Sequence, residues 1–416
     1  MPEPVIFHVD VNSAFLSWEA CFLLKKGYEV DIRRIPSVIG GSEAMRHGIV
    51  LAKSAPAKAF RITTGEPLAQ ARRKCPHLQV FPPHYEVYVE NSKSLMDLLR
   101  RYAPEVEQFS IDEAYCDMTG TEKLYGDLTV FAHTLKDTIH SELGFTVNIG
   151  ISKNKILAKM ASDFEKPDRV HTLFPEEIPH KMWPLPVEEL FYVGRSSYKK
   201  LHNLGIYTIG DLAHYDKDIL ISHLNKHGET IWNFANGIDV AEVTASQPEN
   251  KGYGNSLTIH YDVEDGDTAK MFLLSLCETV GARLRSDHAF IKTISVSMVD
   301  SSFHHHSRQM TLPSATNITE KIFYCACQLF DQLWKGEPIR LLGVSTSKAT
   351  KEQFTQYNLF DTETDEKYKK LNSAIDQIRT RYGEDSVKRA RFLEDQAEHM
   401  SGGINKAKRT GITKDA

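Results

Sequence analysis

Ser110-Ile111-Asp112-Glu113-Ala114-Tyr115-Cys116-Asp117 is the most informative stretch of the chain. Two adjacent carboxylates, Asp112 and Glu113, stand in an apolar run that includes Val106, Phe109, Ile111 and Tyr115. Burying such a pair is costly unless something cationic compensates. A third carboxylate, Asp10, ends a second apolar run, Val5-Ile6-Phe7-His8-Val9. Two strand ends that deliver carboxylates suggest a shared divalent metal site, which suits phosphoryl transfer by two metals. Consecutive strand side chains point opposite ways, so Asp112 and Glu113 serve one site only where the chain bends, as at a hairpin tip. Taken singly, an Asp at a strand end is more often a turn or cap residue, and the weight rests on the whole string.

A chain of 416 residues is too long for one ordinary core, so several domains are expected. The composition, 41% hydrophobic and 25% charged, is that of an ordinary globular protein. No run of ~18 apolar residues is present, so no membrane helix is expected. No basic-then-apolar leader is visible, and the expectation is a cytoplasmic, non-secreted protein. The six cysteines lack metal-finger spacing and read as reduced, mostly buried thiols. The formal net charge of −5 argues mildly against nucleic-acid binding. The sign of a cleft matters more than the total, so the charge predicts weaker non-specific DNA affinity rather than none.

Residues 5–10 read as a strand and Ser13 to Lys26 as a helix. Residues 35–73 form a small mixed segment with Gly40-Gly41. Tyr88 to Tyr102 and Leu128 to Leu143 are amphipathic helices, and Phe145–Ile151 is a strand. Val193-Gly194, Leu204-Gly205-Ile206 and Thr208-Ile209-Gly210 read as a helix-hairpin-helix, whose glycine turn lets backbone approach a phosphate. Residues 241–250 are a polar linker. Beyond it, strand (253–262), helix (268–286), strand (290–299), strand (303–312), helix (317–335) and strand (339–347) give the βαββαβ order of a ferredoxin-like unit. Tyr368 to Tyr382 looks helical, and the end from Ser401 onward reads as disordered.

Ser-Ile-Asp-Glu-Ala-Tyr resembles the signature of the Y-family DNA polymerases, the translesion group that includes DinB-like and UmuC-like enzymes. Val9-Asp10-Val11-Asn12-Ser13-Ala14-Phe15 resembles the family's first metal motif. Gly150-Ile151-Ser152-Lys153-Asn154-Lys155, with Ala158-Lys159 and Lys166-Pro167, resembles its third. The resemblance runs over roughly residues 5–350 and implies an α+β multidomain right hand. The palm would be residues 1–13 and 84–173, the fingers 14–83, and the helix-hairpin-helix thumb 174–240. Residues 241–250 would be the linker, 251–350 the little finger, and 351–416 a C-terminal segment with a clamp motif, a helix and a flexible tail.

The resemblance implies the chemistry residue by residue. Asp10, Asp112, Glu113 and the backbone carbonyl of Val11 would hold two Mg²⁺ ions, with Mn²⁺ as a substitute. Phe15 would be the steric gate that rejects a 2′-hydroxyl, although a core phenylalanine is its bland reading. Lys58 and Lys166 would meet the triphosphate. Many relatives carry a hydroxyl, a tyrosine and an arginine at the positions held here by Ala52, Ala55 and Lys58. All three depart, so nucleotide binding is either weak or compensated by other groups. Asp168-Arg169 replaces the commoner Asn-Gly after Pro167 and leaves the pose of Lys166 open. Small residues at Gly40, Gly41, Ala52 and Ala55 fit either room above the nascent base pair or a tight loop. Glu19 and Asp117 are not favoured as ligands, and Asp117 reads as a hairpin-end residue. Gly194 and Gly205 would contact the DNA backbone.

Gln356, Leu359 and Phe360 resemble the short peptide that docks bacterial replication proteins on the sliding clamp, against a strap that packs on the little finger. His304-His305-His306 is not read as a metal site, because adjacent strand histidines face alternately. The implied protein is a monomeric, distributive translesion DNA polymerase without proofreading, bacterial, cytoplasmic and nucleoid-associated. It would act on primer–template DNA with deoxynucleoside triphosphates. Its rivals are a non-catalytic DNA- and clamp-binding paralogue and a metal-dependent nuclease.

Overall fold

The computed structural model describes residues 3–43, 46, 48–246, 249–351, 362–393 and 397–401. The strands among them are β1 (Ile6–Val11), β2 (Ser37–Gly40), β3 (Val50–Lys53), β4 (Gln79–Phe81), β5 (Glu105–Gln108), β6 (Glu113–Asp117), β7 (Val147–Ser152), β8 (Val170–Thr172), β9 (Gly254–Val263), β10 (Ile291–Asp300), β11 (His305–Thr316) and β12 (Ile339–Ser347). No helix among the described residues is long and apolar enough to cross a membrane. The clamp-like residues Gln356, Leu359 and Phe360 lie outside the described residues.

The first sheet has the order β5-β6-β1-β7-β8. Central strand β1 is buried along its whole length, which explains why its sequence reads as a near-continuous apolar run. Phe7, Val9 and Val11 face a core shared with Trp18, Leu95 and Ile139 from helices Ala14–Lys25, Tyr85–Leu99 and Leu128–Leu143. Ile6 faces the other side, with Tyr115 and Ala158 of helix Lys155–Ser162. That helix lies against β7 because Gly150 has no side chain. A Cβ there would stand 2.0 Å from the Ala158 carbonyl oxygen. Asn154 caps the helix by accepting from the Leu157 amide at 3.0 Å. The helix at residues 85–99 begins three residues earlier than the apolar stripe indicates, because His84 starts the turn.

A smaller sheet, β3-β2-β4, carries helices Ala55–Ala59 and Leu68–Lys74. Gly40 is explained here by packing, since a Cβ would sit 2.8 Å from Leu68. Residues 175–235 are helical. Gly194 precedes helix Arg195–Asn203, and Gly205 takes φ +77° after its end. Thr208 and Asp211 form a reciprocal cap on helix Ile209–His214. This is the expected helix-hairpin-helix.

The last sheet runs β11-β10-β12-β9, with every pairing antiparallel, so the final strand lies between the first and the second. Helices Gly266–Ser286 and Thr319–Leu333 pack on it, completing the βαββαβ order. His304 and His306 both turn to Asp300 Oδ2, at 3.2 and 3.4 Å. Among the described residues no group of three or more His, Cys, Asp or Glu is drawn together closely enough for an ion.

The C-terminal region differs from expectation. The helix begins at Thr362 rather than Tyr368 and runs to Tyr382. Phe392 and Ala397 join the core of the last sheet. Ser401, read as tail, is buried, and its carbonyl accepts from Asn255 and Thr279. Glu278 anchors this layer. It is 3% exposed and accepts from Arg379 (2.7 Å) and Arg389 (2.5 Å). Arg389 also reaches Glu320 at 2.6 Å. Burial opposes ionisation of Glu278, but Arg389 and Arg379 hold its carboxyl below the ordinary range. This stabilisation is present above the ordinary Glu range and is lost as pH falls through the depressed value. Arg379→Met should destabilise the last domain by about 3 kcal/mol, because it leaves a buried carboxylate half paired. Urea unfolding at neutral pH checks this, and an unshifted transition would show that the C-terminal layer is not anchored there.

Candidate active site

Asp10 and Glu113 are register partners on β1 and β6. Paired residues of an antiparallel ladder point to the same side, here the side covered by helix Lys155–Ser162. Asp112 reaches the same place from the hairpin tip. The amides of Phe109 and Ser110 both donate to the Glu113 carbonyl, at 3.0 and 3.1 Å, which closes the turn. Ser110 Oγ donates to Asp112 Oδ1 at 2.7 Å. The required bend is therefore present. The arms are β5 and β6, with the tip at residues 109–112. Phe109, expected in the apolar run, is exposed and packs edge-on against Tyr115 and Phe191.

Two lysines compensate the carboxylates. Lys166 Nζ lies 2.7 Å from Asp10 Oδ2 and 2.8 Å from Asp163 Oδ1. Lys159 Nζ lies 2.8 Å from Glu113 Oε1 and 3.7 Å from Asp10 Oδ2. Burial opposes both charges, but the surrounding carboxylates raise both lysines above their ordinary range. Burial likewise opposes ionisation of Glu113, yet His8 and Lys159 hold it at about 2. His8 is fully buried, with Nδ1 on Ser162 Oγ at 2.8 Å, and burial lowers its pKa. Asp112 shifts the other way. Burial, together with Asp10 and Glu113 beside it, raises its carboxyl above the ordinary range against the Ser110 hydrogen bond.

A cleft of about 660 Å³ is lined by Asp10, Val11, Phe15, Ala52, Ala55, Lys58, Asp112, Glu113 and Lys166. The three sequence motifs thus meet in one place together with Ala52 and Ala55, whereas Gly40 and Gly41 do not line the cleft. Gly194 and Gly205 lie in the helical segment and do not line it. Ala55 starts helix Ala55–Ala59 after the cap Ser54, whose hydroxyl is engaged by the Ala57 amide and the Ile35 carbonyl. Asp168 adopts φ +63°, which Asp tolerates, and its amide donates to Asn12 Oδ1 at 2.9 Å. Lys166 itself is held by Asp10 and Asp163 although the commoner Asn-Gly is absent.

Three carboxylates and a strand-end carbonyl are the donor types a hard divalent cation prefers, but as they stand the carboxylates are not drawn together closely enough to hold one. As placed, Asp10 and Glu113 are held by lysines, so an ion taking them must draw them from Lys166 and Lys159. Sequence reasoning missed Lys159 as a counter-charge, Asp163 as its partner, and Lys53 and Thr64 in the cleft wall. Lys159 and Asp163 are one helical turn apart, the signal by which they were findable. Lys53 Nζ is bonded to the Ile62 carbonyl at 2.8 Å.

Comparison with known proteins identifies the family. Residues 9–163 match the model of the impB/mucB/samB family, residues 250–359 that family's C-terminal domain, and residues 175–206 the IMS family HHH motif. A DNA polymerase IV of Clostridium acetobutylicum is 47% identical over 391 residues, covering 94% of this chain and 98% of the relative. A DNA polymerase IV of Acetivibrio thermocellus is 37% identical over 397 residues, covering 94% and 98%. A solved Y-family DNA polymerase chimera superposes with a TM-score of 0.71 at 21% identity, covering 82% of this chain and 98% of that one. The fold is therefore that of a right-hand polymerase with palm, fingers, thumb and little finger, and the chain belongs to the impB/mucB/samB family of bacterial Y-family polymerases.

Proposed function

We infer that this protein is a DNA-directed DNA polymerase that performs translesion synthesis, extending a primer by one deoxynucleoside monophosphate and releasing pyrophosphate. The non-catalytic paralogue is not favoured. The observation that carries the reading is the convergence of Asp10, Asp112, Glu113, Phe15, Lys58 and Lys166 on one cleft. The domain limits proposed are those of the sequence analysis, except that residues 362–393 and 397–401 are assigned to the little finger. A distributive monomer in the bacterial cytoplasm, near the nucleoid, is proposed with it.

In this reading Asp10, Asp112, Glu113 and the Val11 carbonyl hold two Mg²⁺ ions, with Mn²⁺ as a substitute. Divalent ions, when bound, neutralise triphosphate charge and lower the pKa of the primer 3′-hydroxyl. Lys166 and Lys159 keep the carboxylates ionised and oriented until then. Lys166 and Lys58 face the triphosphate, and Lys58 does so as a point charge rather than a fork. Thr64 is the proposed replacement for the hydroxyl that Ala52 does not provide. Phe15 occupies the space a 2′-hydroxyl would need. Gly194 and Gly205 present backbone amides to DNA phosphates.

Asp112→Ala with Glu113→Ala should cut extension of a labelled primer with Mg²⁺ by about a thousandfold while primer–template binding persists. Retained synthesis would sink the metal assignment, and a shortened primer from the wild type would favour the nuclease.

Asp112 carries a second expectation. Its folded value lies above its ordinary one, so the ionised group costs stability at neutral pH, and this cost disappears as pH falls below the ordinary carboxylate range. Asp112→Asn, in chelator at pH 7, should therefore raise Tm by about 2 °C, while lowering extension with Mg²⁺ by no more than the double alanine variant does. A fall in Tm would show that the carboxylate stabilises the fold.

Gln356, Leu359 and Phe360 are proposed to bind the sliding clamp, supported by their peptide pattern alone. Replacing all three by alanine should remove clamp-stimulated extension only. Equal loss without the clamp would indicate the packing strap instead.

A further inference from the structure

Glu19 is a buried carboxylate that the polymerase chemistry leaves unexplained. It is 1% exposed and does not line the cleft. Both its oxygens are taken. Tyr88 Oη donates to Oε2 at 2.8 Å, and His84 Nδ1 lies 2.8 Å from Oε1. Glu19 belongs to helix Ala14–Lys25, while His84 and Tyr88 sit at the start of helix Tyr85–Leu99. The carboxylate therefore joins two helices of one core.

The other end of Tyr88 meets Phe15. The two rings stack at 4.7 Å between centroids with 13° between planes. Tyr85 touches Phe15 edge-on at 6.1 Å. Phe15 lines the cleft with its free side, so Tyr88 is the wall behind it. Tyr88 is fully buried. For Phe15 to swing back from the cleft, Tyr88 must give way, and that movement breaks a hydrogen bond to a buried carboxylate. Leaving such a group unsatisfied is penalised far more than the bond itself is worth.

We propose that Tyr88, fixed by Glu19, is the positioning residue that holds Phe15 against the sugar of the incoming nucleotide and thereby sets the ribose-versus-deoxyribose selectivity of this polymerase. The inference rests on the reading of Phe15 as the sugar gate. A phenyl ring excludes a hydroxyl only if it cannot retreat by the fraction of an ångström the hydroxyl needs. The backing, rather than the ring alone, provides that resistance.

The test is single-nucleotide insertion opposite template guanine, with kcat/KM measured separately for deoxycytidine and cytidine triphosphate. Wild type, Phe15→Ala, Tyr88→Phe, Tyr88→Leu and Glu19→Gln are compared, each checked for folding by thermal melting. Tyr88→Phe keeps the ring but frees it, and should lower the deoxy-to-ribo ratio by about tenfold, which is about 1.4 kcal/mol. Tyr88→Leu should lower it further. Glu19→Gln retains an acceptor for the Tyr88 hydroxyl and should hold the ratio within about twofold of wild type. A purely structural role would depress both substrates equally and leave the ratio unmoved. An unchanged ratio in Tyr88→Phe and Tyr88→Leu, with a lowered one in Phe15→Ala, overturns the positioning role alone. An unchanged ratio in Phe15→Ala overturns the gate reading itself.

Discussion

The constraint on which the rest of the structure depends is the gathering of three carboxylates in a partly buried corner of the palm. Asp10 and Glu113 stand side by side because β1 and β6 pair in that register. Like charges at that spacing repel, and burial removes the water that would screen them. The fold answers with Lys159 and Lys166, delivered from a helix and the loop after it. Gly150 permits that helix to approach. A small change at Gly150 would thus displace the counter-charge rather than any metal ligand.

The two faces of β1 divide the labour. Alternate residues face an apolar core that fixes the sheet, and those between face the charged corner. His8 lies beneath that corner, buried and tied to Ser162. The Phe15 side of the cleft is built from the apolar core instead, with Tyr88 and Trp18 packed against that ring. Strand β1 and the helix that follows it therefore contribute to both sides of the cleft, Asp10 to the charged corner and Phe15 to the aromatic wall.

The domains are tied together by polar contacts along their edges. Glu107 accepts from Lys155 and from the amide of Thr244, and Glu105 from the amide of Ala245. Thr244 and Ala245 are thereby laid along β5. Val243 is buried against Ile6, Tyr115 and Ala158. Arg46, between β2 and β3, meets Asp262 of β9 at 2.6 Å. Such contacts are rich in hydrogen bonds, in keeping with the polar character of inter-domain surfaces.

Sequence alone determined the helix and strand order of the palm and little finger, and the candidate carboxylates, because apolar periodicity and local motif strings are written in neighbouring residues. The helix-hairpin-helix was legible for the same reason, through Gly205 and the Thr208–Asp211 cap. Only the tertiary structure decided which charges compensate which. Lys166 and Asp10 are 156 residues apart in the chain, and no local pattern encodes such a pairing. The same holds for Tyr88 behind Phe15 and for the C-terminal layer on Glu278. Charge pairing and ring stacking depend on distances between elements, and those distances exist only once the chain has packed.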